Sequence, residues 1–159
     1  MAVDIKVYYI VMKYVSSVEI HLSLPRVIEL FDNPIHQLEW TPNLASTEMV
    51  SGTPGHTGAV SRLVFKTKRL EYEAIETILK NKLPSEFDHL YQTRDIGLEM
   101  NESFESIGDN LTKLTSRNKV TFSGLMPLIG WTTKQFFKKH TSRQLKAFKY
   151  FAENYVELT

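Results

Sequence analysis

Along SVEIHLSL, residues 17–24, apolar and polar side chains alternate strictly. Val18, Ile20, Leu22 and Leu24 share one face, and Glu19, His21 and Ser23 take the other, which is the pattern of a half-buried strand. Pro25 then stands where it can open a helix, and Val27, Ile28 and Phe31 follow at helical spacing until Asp32-Asn33-Pro34 stops it. A second short helix is predicted in IHQLEW, residues 35–40. After Pro42 the period of two returns in six segments: 44–51, 57–67, 69–81, 86–93, 97–107 and 111–124. Gly97 is expected to mark a bulge or bend, and Gly108-Asp109-Asn110 a turn. Beyond Pro127 the period lengthens to that of a helix over about 128–156. Phe137, Thr141, Gln144, Phe148, Phe151 and Tyr155 line one face of it, and Lys134, Lys138, Arg143, Lys146 and Lys149 lie on the others.

Seven strands joined by short turns, with a long helix at the end, predict an α+β fold. It is a curved antiparallel sheet covered on one face by the C-terminal helix, with two short helices after strand one. Residues 1–11 are expected to form an extension running into strand one, and 12–159 a single domain, with Met12 as an alternative translation start to Met1.

The stretch SGTPGHTG, residues 51–58, spaces three glycines by three. A phosphate-cradling loop needs a strand before it and a helix after it, and a P-loop ends in Lys-Ser/Thr. Here strands are predicted on both sides, so the stretch reads as a hard turn.

Composition narrows the function classes. Nineteen basic and 18 acidic residues leave a formal charge of +1, which gives no general attraction to nucleic acid or to an anionic membrane. The chain has no cysteine, which excludes disulfides, thiolate metal sites and cysteine nucleophiles and agrees with a cytoplasmic location. No stretch reaches the roughly 18 apolar residues of a membrane helix. The five histidines, at 21, 36, 56, 89 and 140, lack the i, i+4 pairing of metal ligands and any neighbouring carboxylate at useful spacing, so no metal is expected. There is no GxSxG elbow.

Element order, LPRVIELFDNP in the first helix, the Trp40-Thr41-Pro42 step, SGTPGHTGAVSRLVF, LPSEFDHLY and the closing FKYFAEN carry a resemblance. From Met12 onward the chain resembles the START-like (SRPBCC) superfamily of helix-grip proteins, whose members include plant pollen allergens, lipid-transfer domains and polyketide cyclase/dehydrase-like bacterial proteins. The resemblance implies a rigid glycine-rich loop beside a cavity between sheet and C-terminal helix. It leaves function open, because one fold hosts carriers and enzymes alike.

Strand parity turns these side chains toward that space: Leu63 and Phe65; Tyr72, Ala74, Glu76 and Ile78; Phe87, His89 and Tyr91; Leu98, Met100, Glu102 and Phe104; Leu114, Ser116, Asn118, Val120 and Phe122. The same pattern also describes a filled core. Read as a cavity, it makes Trp40, Leu63, Phe65, Tyr72, Glu76, Phe87, Tyr91, Met100, Glu102, Phe104, Asn118, Phe122 and Phe148 the candidate ligand-binding residues. Glu76 and Glu102, set between apolar neighbours, are expected to be neutral donors that select the ligand, and Tyr91 and Asn118 to meet a ligand carbonyl. The expected activity is binding of a small hydrophobic molecule (lipid, sterol or polyketide-like) as carrier or sensor, without cofactor, in a monomer or homodimer. The alternative is a polyketide cyclase/dehydrase-type enzyme using the same cavity.

Overall fold

A computed structural model describes residues 10–123 and 131–156 of the chain. Its elements run β1 (Ile10–Ile20), α1 (Leu24–Phe31), a 3-10 turn (Pro34–His36), α2 (Gln37–Trp40), β2 (Leu44–Ser51), β3 (Val60–Lys66), β4 (Glu71–Lys82), β5 (Glu86–Gln92), β6 (Ile96–Gly108), β7 (Leu111–Phe122) and α3 (Trp131–Asn154). The seven strands form one antiparallel sheet in the order β1-β7-β6-β5-β4-β3-β2. The chain therefore leaves one edge at β1, crosses by α1 and α2 to the other edge at β2, and returns hairpin by hairpin until β7 pairs β1.

Strand one differs from the sequence reading at both ends. Ile10 and Val11 already pair Phe122 and Thr121, and the strand ends at Ile20, where Thr112 of β7 is its last partner. Leu24 is not the last strand residue. It opens α1 with Pro25 beside it, a place where proline's missing N–H costs nothing. Gly97 pairs Gln92 and Thr121 in unbroken register. The irregularities fall instead between Ile78 and Lys80 of β4, between Ser106 and Gly108 of β6, and twice in β2. Each lies near a strand end or the sheet edge, where an extra residue disturbs few ladder bonds. Positions 128–130 of the expected last helix lie outside the described residues, as do residues 1–9 of the expected extension.

α3 lies against the sheet through the face that its spacing marks: Thr141, Gln144, Leu145, Phe148 and Ala152 are buried, and Phe137, Phe151 and Tyr155 half-buried. Leu145, Phe148 and Ala152 join Ile20, Val27, Leu30, Phe31, Trp40, Phe104 and Leu114 in the main core. Phe31 is its hub. Its ring stands 4.8 Å from Phe104, 5.3 Å from Phe87, 5.4 Å from Phe148 and 5.9 Å from Trp40, mostly edge to face. Polar contacts tie the middle of the helix and its C-terminal part to β1. Tyr14 and Thr141 share a hydrogen bond of 2.9 Å, and the Lys149 ammonium donates to the Glu19 carbonyl at 2.6 Å and to Glu153 at 2.9 Å.

Candidate functional site

The glycine-rich loop joins two strands, β2 and β3, and all three of its glycines have positive φ: +84° at Gly52, +77° at Gly55 and +90° at Gly58. At Gly52 a Cβ would also stand 2.8 Å from the Ala59 Cα, so only glycine fits. The loop is tied down on two sides. Gly58 N donates to the Ile78 carbonyl, and the Asn81 amide donates both to the Gly55 carbonyl at 2.7 Å and to Asp32 at 2.9 Å. One side chain of β4 thus holds the loop against the end of α1.

Between this loop, the segment from Phe31 to Trp40, and the inner face of β2–β5 lies a cavity of about 600 Å³. Phe31, Trp40, Ala59, Ile78, Phe87 and Tyr91 supply most of its apolar wall, with Ile35, Leu38 and Met49 at its mouth, each of them exposed. No described residue of α3 lines it. The cavity expected between sheet and C-terminal helix is displaced toward β2–β5, because Phe31, Trp40 and Phe148 interlock beneath the helix and fill that space.

The inner wall of the cavity is polar. In the register of the sheet His89 stands opposite Ile78 on β4 and Met100 on β6. Its imidazole reaches diagonally to the carboxylates on either side, which diagonal neighbours on one sheet face can do. Nδ1 is 3.0 Å from Glu76 Oε1, and Nε2 is 3.4 Å from Glu102 Oε2, an ion pair without hydrogen-bond geometry. The Gln37 amide of α2 donates to both oxygens of Glu76, at 3.1 and 3.3 Å, and Tyr91 is the direct cross-strand partner of Glu76 on β5. All three titratable members of this triad are buried: Glu76 7%, His89 3% and Glu102 2% exposed.

Burial alone would push the Glu76 carboxyl up. The hydrogen bond and charge of His89, with donors from Gln37 and Tyr91, outweigh burial and hold it below the usual carboxylate range. This corrects the neutral, donating Glu76 expected from its apolar strand neighbours: the group is an ionised acceptor. Burial would likewise lower the imidazole, but Glu102 and Glu76 raise it to about 9, so His89 is an imidazolium at neutral pH. Burial and the two carboxylates push the Tyr91 phenol well above its ordinary value.

Of the expected ligand-binding residues, Trp40, Glu76, Phe87 and Tyr91 line the cavity. Glu102 stands behind His89. Leu63 and Phe65 pack with Leu44 and Ala74 at the β2 edge, and Tyr72, more than one-third exposed, stacks on Phe65 with ring centres 5.1 Å apart. Phe104 and Phe148 belong to the core around Phe31, and Phe122 packs with Tyr14 and Phe137. Asn118 spends its amide within β7, donating to the Ser116 carbonyl and accepting from the Ser116 hydroxyl. It borders, with Met100, a second hollow of about 490 Å³ lined chiefly by outward-facing residues such as Lys13, Glu99, Arg117 and Lys119.

His89 and Gln37 were absent from the expected ligand-binding set. His89 shares its inward parity with Glu76 and Glu102, a signal present in the sequence, but its pairing runs across strands, where spacing along the chain carries no trace of it. Gln37 carries no such signal. Among the described residues no group of three or more His, Asp or Glu side chains is arranged to hold a metal ion. No helix among them is long and apolar enough to cross a membrane.

No protein-family model and no curated protein sequence matches the chain. Solved structures do. A START superfamily protein from Mycobacterium smegmatis superposes with a TM-score of 0.74 at 14% identity, covering 89% of this chain and 97% of that one. Ara h 8.0201 gives 0.72 at 15% identity over 89% and 97%. The Zhui aromatase/cyclase from Streptomyces sp. R1128 gives 0.68 at 10% identity over 90% and 94%. The chain has the START-like helix-grip fold.

Proposed function

We propose that the protein binds a small hydrophobic molecule in the cavity between the glycine-rich loop, α1–α2 and β2–β5, as a carrier or sensor. The observation that carries this reading is the cavity itself: about 600 Å³ of largely apolar space ending on one polar cluster, the composition of a small-molecule site. Lipid, sterol and polyketide-like molecules are of suitable character. The reading places the protein in the cytoplasm, as a monomer or homodimer, without nucleic acid among its partners.

A second reading, a cyclase/dehydrase-type enzyme, is favoured by one juxtaposition, Glu76 and Tyr91 as cross-strand partners at the cavity wall, since a base and an acid side by side can shift protons. The electrostatics favour binding over turnover. A general base works best with a pKa near ambient pH, whereas Glu76 is held low and Tyr91 is pushed high, each away from neutrality.

Ser61→Phe tests the reading, because Ser61 lines the cavity on β3, where an aromatic residue suits the strand. With a naphthalene probe in calorimetry, wild type binds and the folded variant does not. Equal binding by both places the probe elsewhere and removes the cavity's role. Turnover of a polyketide substrate lost in Glu76→Gln, with binding kept, decides for the enzyme.

A further inference from the structure

We propose that the cavity's ligand is an apolar amine whose ammonium group takes the place of the Gln37 amide on Glu76. The inference rests on the binding reading above and names the chemistry of the ligand's polar end.

Three observations carry it. None of the described residues lining the cavity is a lysine or an arginine, and the one cation in its wall, the His89 imidazolium, already faces two carboxylates, Glu76 and Glu102. Carboxyl groups are in excess there: Glu76 inside and Glu102 behind share the single imidazole of His89, and Asp32 adds a third carboxyl group at the mouth. The donor that α2 offers Glu76 is uncharged and divided between two acceptors. Gln37 reaches both carboxylate oxygens with one neutral amide nitrogen, at 3.1 and 3.3 Å, from a four-residue helix at the cavity wall. An ammonium group in that place makes charge-assisted bonds to the same oxygens, and the aromatic residues Phe31, Trp40, Phe87 and Tyr91 in the cavity lining accept its apolar body. A carboxylate ligand would meet Glu76 as a like charge.

Three probes with one naphthalene body separate these cases: 1-naphthylmethylammonium, 1-naphthalenemethanol and 1-naphthoate, titrated calorimetrically at pH 7. The expected order of affinity is ammonium, alcohol, carboxylate, with about tenfold or more between the first and last. Glu76→Gln should bring the three within about threefold of one another. Gln37→Ala, at a half-buried position, removes the competing amide and should strengthen the ammonium alone, which keeps the test decisive if Glu76→Gln does not fold. Equal affinities, a carboxylate preference, or a Gln37→Ala effect shared by all three probes would overturn the amine and leave the cavity reading standing. Absence of binding by all three would overturn the cavity reading and the amine with it.

Discussion

The two halves of the sheet's inner face are built from the same alternation and end differently. Toward β1, β7 and α3 the inward side chains, Ile20, Leu114, Val120 and Phe122 among them, meet Leu145, Phe148, Ala152 and Phe137 of the helix, and the space is full. Toward β4 and β5 the inward row holds Glu76, His89 and Tyr91, no described residue of α3 lines the space above it, and a cavity remains. Alternation decides which way a side chain points. What meets it there decides between core and site. Buried ionisable groups mark the difference, since they resist close apolar packing unless paired and hydrogen-bonded.

The comparison breaks most sharply at His89. His89→Leu leaves Glu76 and Glu102 without their shared cation and should destabilise the protein by about 3 to 5 kcal/mol, read from urea unfolding. Replacing all three together by leucine should recover most of that loss, because an apolar cluster of similar volume needs no partner. A single variant as stable as wild type would mean that the triad is not electrostatically coupled.

Next come two phenylalanines that share Phe31 as neighbour. Phe148→Ala, in the filled half, should cost about 3 to 5 kcal/mol, and Phe87→Ala, at the cavity wall, about 1 kcal/mol less, because a site already beside open space loses fewer contacts. Equal costs in thermal or urea unfolding would show that the two halves are packed alike.

A third test is the dependence of stability on pH. Raised from 6.5 to about 9 in the folded state, His89 contributes stability that is full below about 6.5 and lost as pH rises through about 9. Glu76, lowered from 4.5, contributes stability present above about 4.5 and lost as pH falls. The unfolding free energy should therefore be greatest between those limits, and His89→Leu should flatten the alkaline fall. An alkaline fall that persists unchanged in that variant would assign it to other groups.

Much of this organisation was legible in the sequence. Period two along β3 to β7 placed Glu76, His89 and Glu102 on one inner face, and the change of period after Pro127 placed the helix that covers the other half. Two things were not legible. Parity says that Glu76 and His89 both point inward, but their contact depends on the register between β4 and β5, fixed by a hairpin and by the irregularity after Ile78. The protonation state depends on that contact in turn: alone among Ala74 and Ile78, Glu76 would be neutral, and with His89 beside it the carboxylate is charged. Nor does periodicity say how far the bulk of Phe31 and Trp40 extends beneath α3, which is what moves the cavity toward β2–β5.

The position of a bound apolar molecule tests the account most directly. Methyl-resolved NMR of the protein saturated with 1-naphthylmethylammonium should show large shifts at Met49, Ala59 and Ile78, which line the cavity, and little change at Val27, Leu145 and Ala152 in the filled core. Large shifts at Leu145 and Ala152, with Met49 and Ile78 unmoved, would put the ligand beneath α3 and contradict it.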